Sequence, residues 1–268
     1  MSTCTVVLRR AGRTGVEVVG AVTTDVGPGE GLAAAASRAV REVTGGAADV
    51  WAVDLAGPDT CFAADVLGDR ARPADGCASG WATKVARIPL ATVAFRPMTR
   101  ADFPDVVAWQ TRPHVSRWWQ DEARDAARAE EHYGPALDGV DPTRMWVLEV
   151  NGRSVGMLQD YLVGDHPEFA LLTARPEAVG LDYLVGDPTW VGVGIGTRML
   201  WTFLRDVVRP HYPQAREYFA APDHRNAGSL RVLDKLGFTR GLWFDEPQPG
   251  GGVDTVVGCS MDVPRILG

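Results

Sequence analysis

Three alternate glycines, Gly192, Gly194 and Gly196, separate a short apolar run, Leu181–Val185, from an amphipathic stretch reaching from Thr197 to Val208. That order reads as strand, glycine-rich loop and helix. The helix start points unpaired N–H groups into a turn that has no Cβ atoms to hold a ligand off. Such a turn accepts an anion, most often a phosphate, although the same spacing also serves as an ordinary tight connection. Two familiar phosphate loops are excluded: no Gly-Lys-Ser/Thr follows, and the glycine spacing does not fit a dinucleotide fingerprint. The apolar run carries one carboxylate, Asp182, in a setting that reads as buried.

About 30 residues downstream, Tyr218 to Phe238 contains Pro222-Asp223-His224-Arg225-Asn226 and ends in Leu236-Gly237-Phe238. The two stretches together resemble the acyl-CoA motifs of the GNAT N-acetyltransferase superfamily. The resemblance implies a GNAT fold, a mixed and mostly antiparallel central sheet flanked by helices, with acetyl-CoA as cosubstrate. It assigns the cofactor to Leu184, Val185, Val191, Gly192, Val193, Gly194, Ile195, Gly196, Thr197, Asn226 and Ser229. Within the superfamily, Arg96-Pro97-Met98-Thr99, His114 to Trp119, Gly156 to Tyr161 and Gly180 to Val185 look like the aminoglycoside 6′-N-acetyltransferases. That likeness puts Asp182 beside the reacting amine, as the base that takes its proton, and Trp118 and Trp119 along the acceptor. Asp160, Tyr161 and Glu168 join them as candidate acceptor contacts, because a polycation calls for carboxylates. The chain departs from the family at Leu233, where a tyrosine protonates the leaving thiolate, and at Ala221, where a second carboxylate precedes the proline. Water, Ser229 or His224 are left for that proton.

Two alternatives stay open. A siderophore-type hydroxylysine N-acyltransferase shares Gly186-Asp187-Pro188 before the glycine loop, and an apolar tunnel beside the thioester would favour it. A non-catalytic acyl-CoA-binding regulatory protein would explain Leu233.

The elements that must position these residues begin near Ala94. A strand at 95–98, a helix from Asp102 to Gln110 with Thr99 as N-cap, a charged helix from Asp121 to Tyr133, and a hairpin closed by Asn151-Gly152 lead to the central strand at Leu181–Val185. An acidic loop is expected at 165–177. A strand at 217–220, a helix at 226–236, and strands at 243–244 and 255–261 with a turn at 247–252 complete the GNAT order.

Residues 1–92 read as a smaller α/β domain and 93–268 as the acetyltransferase domain. Strands at 5–8, 16–19, 50–55, 61–67 and 81–88, a helix from Gly31 to Val43 and an exposed loop at 68–80 are expected in the first. There Glu30, Arg38, Glu42 and Gly45 resemble the Nudix helix. Ala39 and Val43 stand where that family has glutamates, and Thr24 replaces its leading glycine. A hard dication needs several oxygen ligands, so no metal site is expected. The region reads as a non-catalytic relic for packing or dimerisation, or as an unrelated appendage.

The chain has 268 residues and a formal charge of −7, which opposes a nucleic-acid partner and favours cationic ligands. Cys4, Cys61, Cys77 and Cys259 form no C-x-x-C pair, which argues against a zinc site or disulfide framework and for reduced, cytoplasmic thiols. No apolar run approaches a membrane span, so no membrane partner is expected. The oligomeric state is open, a homodimer among the options.

Overall fold

The computed structural model describes residues 2–13, 15–46, 48–56, 59–66, 79–119, 123–247 and 252–268. Most of the expected loop at 68–80, most of the turn at 247–252, Leu67, Cys77 and Asp121 lie outside the described residues.

The first sheet has the order β2-β1-β4-β3, from β1 (Thr3–Gly12), β2 (Gly15–Asp25), β3 (Asp49–Asp54) and β4 (Thr60–Asp65). β1 runs parallel to β4 and antiparallel to β2. Helix α1 (Leu32–Thr44) buries Leu32, Ala35, Ala36, Ala39 and Val40 on one face, and Gly45 ends it in the left-handed region. Glu30 accepts from Arg38 Nε at 3.0 Å and from the Gly27 N–H at 2.9 Å, so the Nudix-like positions that persist form an ion pair that braces the turn before α1. The expected strand at 81–88 is instead a helix, α2 (Ser79–Ala86). Trp81, Val85 and Ile88 follow helical spacing (i, i+4, i+7), and Val85 is buried in the core.

The second sheet has the order β10-β11-β9-β8-β7-β6-β5. Its strands are β5 (Val93–Pro97), β6 (Arg144–Val150), β7 (Arg153–Leu162), β8 (Val179–Val185), β9 (Glu217–Ala220), β10 (Thr239–Pro247) and β11 (Val253–Asp262). Between β5 and β6 run α3 (Phe103–Gln110), α4 (Pro113–Ser116) and α5 (Ala126–Leu137). The expected capping box forms before α3: Asp102 Oδ2 accepts from the Thr99 N–H at 2.8 Å and the Thr99 hydroxyl at 3.0 Å. Asn151 (φ 52°) and Gly152 (φ 73°) make the hairpin turn from β6 to β7. The stretch expected as an acidic loop folds as a 3-10 turn, Val163–Asp165, and α6 (Pro167–Thr173).

After the glycine loop, α7 (Ile195–Phe203) continues through a π segment, Leu204–Val208, into α8 (Arg209–His211), while α9 (Ala227–Lys235) follows β9 and α10 (Val263–Leu267) ends the chain. One apolar cluster runs through both sheets, from Val6, Trp51 and Phe62 to Leu158, Met199, Phe203 and Leu233. Every neighbouring pair in the second sheet is antiparallel except β8 and β9. These run parallel and pair only at Val179↔Tyr218 and Gly180↔Phe219. Beyond Gly180 the strands part, and the opening lies where the glycine loop leaves β8. No helix of the described residues is long and apolar enough to cross a membrane.

Candidate active site

Two clefts meet beside β8. The first, about 570 Å³, is walled by Leu184, Val185 and Trp190 to Gly192 on one side and by Asn226, Gly228 and Ser229 on the other. Gly192 (φ 78°) and Gly194 (φ 88°) hold conformations that disfavour any side chain, and Gly194 is the N-cap of the nine-residue α7. No atom lies within 4 Å of where a Gly192 Cβ would stand, so that face of the loop is open. Arg117, Arg225, Arg231 and Lys235 line the same cleft. Loop, helix start and cations form a setting for a phosphate-bearing ligand. Asp187 caps the 3-10 turn Pro188–Trp190, its carboxylate accepting from the Thr189 N–H at 2.9 Å.

The second cleft, about 460 Å³, is lined by Asp141, Asp182, Asp223, Glu246 and Asp254, with Gln159, Tyr161, His166 and Phe169. Both volumes fall in the range of small-molecule sites. Trp118, Trp119, Tyr183, Asn226 and Ser229 face both clefts and make the wall where they join.

Asp182 is half-buried on β8, opposite Gln159 of β7, whose Nε2 donates to its Oδ2 at 2.9 Å. The Tyr161 phenol neighbours the same carboxylate and interacts with it electrostatically. Room for that ring comes from Gly180, where a Cβ would stand 2.3 Å from Tyr161 Cε2. Burial raises the Asp182 pKa above its ordinary value, opposed by the Gln159 hydrogen bond, the neighbouring Tyr161 phenol and nearby His166. Burial also pushes up the Tyr161 phenol, and the adjoining Asp182 charge adds to it, so Tyr161 is a donor here. The Tyr183 and Ser229 hydroxyls are 2.7 Å apart in the shared wall, and burial raises the Tyr183 pKa. Two bonds pin the end of β8: His114 Nε2 lies 3.0 Å from the Val185 carbonyl oxygen, and Arg112 Nη1 donates to the Gly186 carbonyl at 2.7 Å.

Of the residues singled out in the sequence, Asp182, Tyr161, Trp118 and Trp119 line the second cleft. Leu184, Val185, Val191, Gly192, Gly194, Gly196 and Thr197 line the first, and Asn226 and Ser229 line both. Asn226 also caps α9, its Oδ1 accepting from the Ser229 N–H at 3.1 Å. Ile195 is instead a core residue and Val193 points outward, 36% exposed; neither lines a cleft.

Asp160 requires correction. Its buried carboxylate pairs with Arg144 at 2.6 Å and accepts from Trp146 Nε1 at 2.8 Å, away from both clefts. Glu168 is exposed on α6 and lines neither cleft. His224 Nδ1 lies 2.9 Å from the Thr255 carbonyl oxygen and its ring packs on Trp243, so it too is outside them. Gln159, His166, Tyr183, Asp141, Glu246 and Asp254 were not singled out. The strand alternation that pairs Gln159 with Tyr161 on the Asp182 side could have found the first.

A family model described as an acetyltransferase (GNAT) domain matches residues 98–245. No curated protein matches the chain. Among solved structures, AAC(6′)-Ib in complex with ribostamycin and coenzyme A is 25% identical, covering 64% of this chain and 93% of its own, with a TM-score of 0.51. The same enzyme in complex with paromomycin and acetyl-CoA is 24% identical over the same shares, with a TM-score of 0.53. An uncharacterized protein from Bacillus halodurans shares the fold at 18% identity, covering 68% of this chain and 88% of its own, with a TM-score of 0.57. Acetyl-CoA is the cosubstrate that goes with this fold. With the family match spanning more than half of its length, the chain belongs to the GNAT acetyltransferases.

Proposed function

We propose that the chain transfers an acetyl group from acetyl-CoA to a primary amine of a cationic small molecule, an aminoglycoside at its 6′-amino group. The observation that carries this reading is the segregation of charge across one junction. Carboxylates line the Asp182 cleft, cations line the glycine-loop cleft, and the two meet at Tyr183 and Ser229. A polyamine seeks the first and a nucleotide diphosphate the second. The resemblance to AAC(6′)-Ib with ribostamycin and coenzyme A supports the same acceptor class.

In this reading Gly192 to Thr197 hold the diphosphate through main-chain N–H groups, while the parted β8 and β9 receive the arm that carries the thioester. Main-chain N–H groups along the unpaired edge of β8 polarise the thioester carbonyl. Asp182 takes a proton from the substrate ammonium, which frees the nitrogen lone pair to attack the carbonyl carbon. A C–N bond forms, the C–S bond breaks, and the second nitrogen proton passes to the departing sulfur, so that CoA leaves as the thiol and the nitrogen as a neutral amide. The Ser229 hydroxyl, backed by Tyr183, donates a hydrogen bond to the departing sulfur where Leu233 supplies no hydroxyl. Trp118 and Trp119 cover the reacting groups, and holding amine and thioester together supplies much of the acceleration. The first 92 residues are assigned to a smaller, non-catalytic unit, and the protein to the cytoplasm.

The hydroxylysine alternative calls for an apolar tunnel, whereas this cleft is lined by carboxylates. The test is thiol release from acetyl-CoA with a panel of aminoglycosides and hydroxylysine. Aminoglycoside-dependent release supports the reading. Release with hydroxylysine alone transfers the chain to the siderophore branch, and binding of acetyl-CoA without release to any acceptor leaves a regulatory protein.

A further inference from the structure

The first 92 residues make contacts that converge on the glycine loop. Arg198 lies on α7, four residues after Gly194, with its side chain 4% exposed. It pairs at 2.9 Å with Asp49 at the start of β3 and at 2.9 Å with Asp65 at the end of β4, and it stacks over Trp51 at 5.2 Å. Asp65 is shared with Arg9, a fully buried arginine of β1 stacked on the same Trp51 at 4.8 Å. Arg9 Nη1 donates to the carbonyls of Val85, at 3.2 Å, and Ile88, at 2.6 Å. Its cation is thereby tied to the connector between the two sheets. Arg205 also reaches Asp49, at 3.3 Å, and Asp206, so three guanidinium groups meet three carboxylates in a network that runs from the buried Arg9 and Arg198 to the half-exposed Asp49.

Ile88, the residue this connector carries forward, packs on the loop. A β-carbon built on Gly194 would stand 2.9 Å from Ile88 Cγ1. The loop at its left-handed N-cap therefore rests against a side chain from outside the acetyltransferase match at 98–245. The opposite wall is held from the same side: the Leu55 N–H donates to the Lys235 carbonyl at 2.6 Å, and Lys235 lines the first cleft at the end of α9. Trp201 Nε1 donates to the Val50 carbonyl at 3.2 Å.

We infer that Ile88 and Arg198 are positioning residues for acetyl-CoA, and that residues 1–92 brace the loop and both helices of its cleft rather than standing as a passive appendage. The inference rests on the assignment of Gly192 to Gly196 to the diphosphate. Glycine's conformational freedom gives a loop with two left-handed glycines little stiffness of its own, so a side chain packed behind it helps keep its N–H groups convergent. Ile88 does so directly, and the Arg9–Asp65–Arg198 chain sets the distance between connector and helix.

The test uses the full chain and CoA as the probe. Calorimetric titration compares wild type with Ile88→Ala and Arg198→Met, and thiol-release kinetics separate the KM values for acetyl-CoA and acceptor from kcat. Ile88→Ala should weaken CoA binding roughly tenfold, as a displaced loop misaligns its donors, and raise KM for acetyl-CoA to match. KM for the acceptor and kcat at saturating acetyl-CoA should hold. Arg198→Met takes one cation from Asp49 and Asp65, which keep Arg205 and Arg9 respectively, and costs stability besides, so Ile88→Ala with an unchanged melting profile is the deciding variant. CoA binding by Ile88→Ala equal to wild type overturns the positioning role, as does an equal shift of both KM values. Absence of CoA binding by wild type itself overturns the assignment of the loop as well, so the two failures are distinct.

Discussion

Replacing Asp182 by Asn keeps the size of the side chain and removes its basicity. A turn of the Gln159 amide lets the new Nδ2 donate across the β7–β8 pair. One charge-assisted bond becomes neutral, but a half-buried carboxylate is no longer desolvated, so the change in folding stability should stay within about 1 kcal/mol. The proton acceptor is lost entirely. General base catalysis contributes about 10²–10⁴-fold, or roughly 3–5 kcal/mol of transition-state stabilisation. Asp182 does not line the glycine-loop cleft, so the dissociation constant for CoA should not change. Thiol-release kinetics with a responsive aminoglycoside, beside a CoA titration, read both quantities. The pH profile supplies a second reading. The base acts deprotonated and burial raises its pKa, so kcat/KM of wild type should fall as pH drops through a value above the ordinary aspartate pKa. That limb should vanish in Asp182→Asn. A variant with kcat within about threefold of wild type, or with the acid limb intact, refutes the assignment of the base.

Three further outcomes follow from the same geometry. Gly180→Ala would force the Tyr161 ring away, because its Cβ would stand 2.3 Å from Cε2; kcat should fall while CoA affinity holds, measured by the same two assays. Gly192→Val meets no neighbouring atom but places a β-branched residue at φ 78°, costing about 1–2 kcal/mol of backbone strain. It also projects into the proposed diphosphate position, so CoA binding should weaken beyond what the shift in melting temperature accounts for. Asp102, held below its ordinary pKa by Arg96 and by the Thr99 hydrogen bonds, contributes stability above its unfolded pKa that is lost as pH falls toward its depressed folded value. Asp102→Asn should lower the melting temperature at neutral pH and narrow the gap to wild type in acid, as followed by thermal denaturation.

The path from β8 through the glycine loop to α9 was legible because its signals are local. Positive-φ glycines, an Asn cap on α9 and an Asn-Gly hairpin each carry their own backbone reason. The acceptor cleft was legible only in part. Asp160 and Tyr161 are neighbours on one strand, but the Asp160 carboxylate is tied to Arg144 and Trp146, and only Tyr161 lines the cleft. Of the carboxylates that line it with Asp182 and Asp223, Asp141, Glu246 and Asp254 come from an α5–β6 turn and from two strands on the far side of the sheet. Only tertiary folding brings them together. The strand expected at 81–88 failed for a different reason: over so short a run its apolar residues fit period 2 poorly and helical spacing well, and the helix face at Val85 packs into the core.

The central claim is one of geometry: the glycine loop grips the diphosphate and delivers the acyl end to Asp182. A crystal structure with CoA bound tests it directly. The account predicts diphosphate oxygens within hydrogen-bond distance of main-chain N–H groups between Gly192 and Thr197, and the sulfur at the wall shared by Tyr183 and Ser229, facing Asp182. A diphosphate held elsewhere, or a sulfur turned away from that wall, would contradict it.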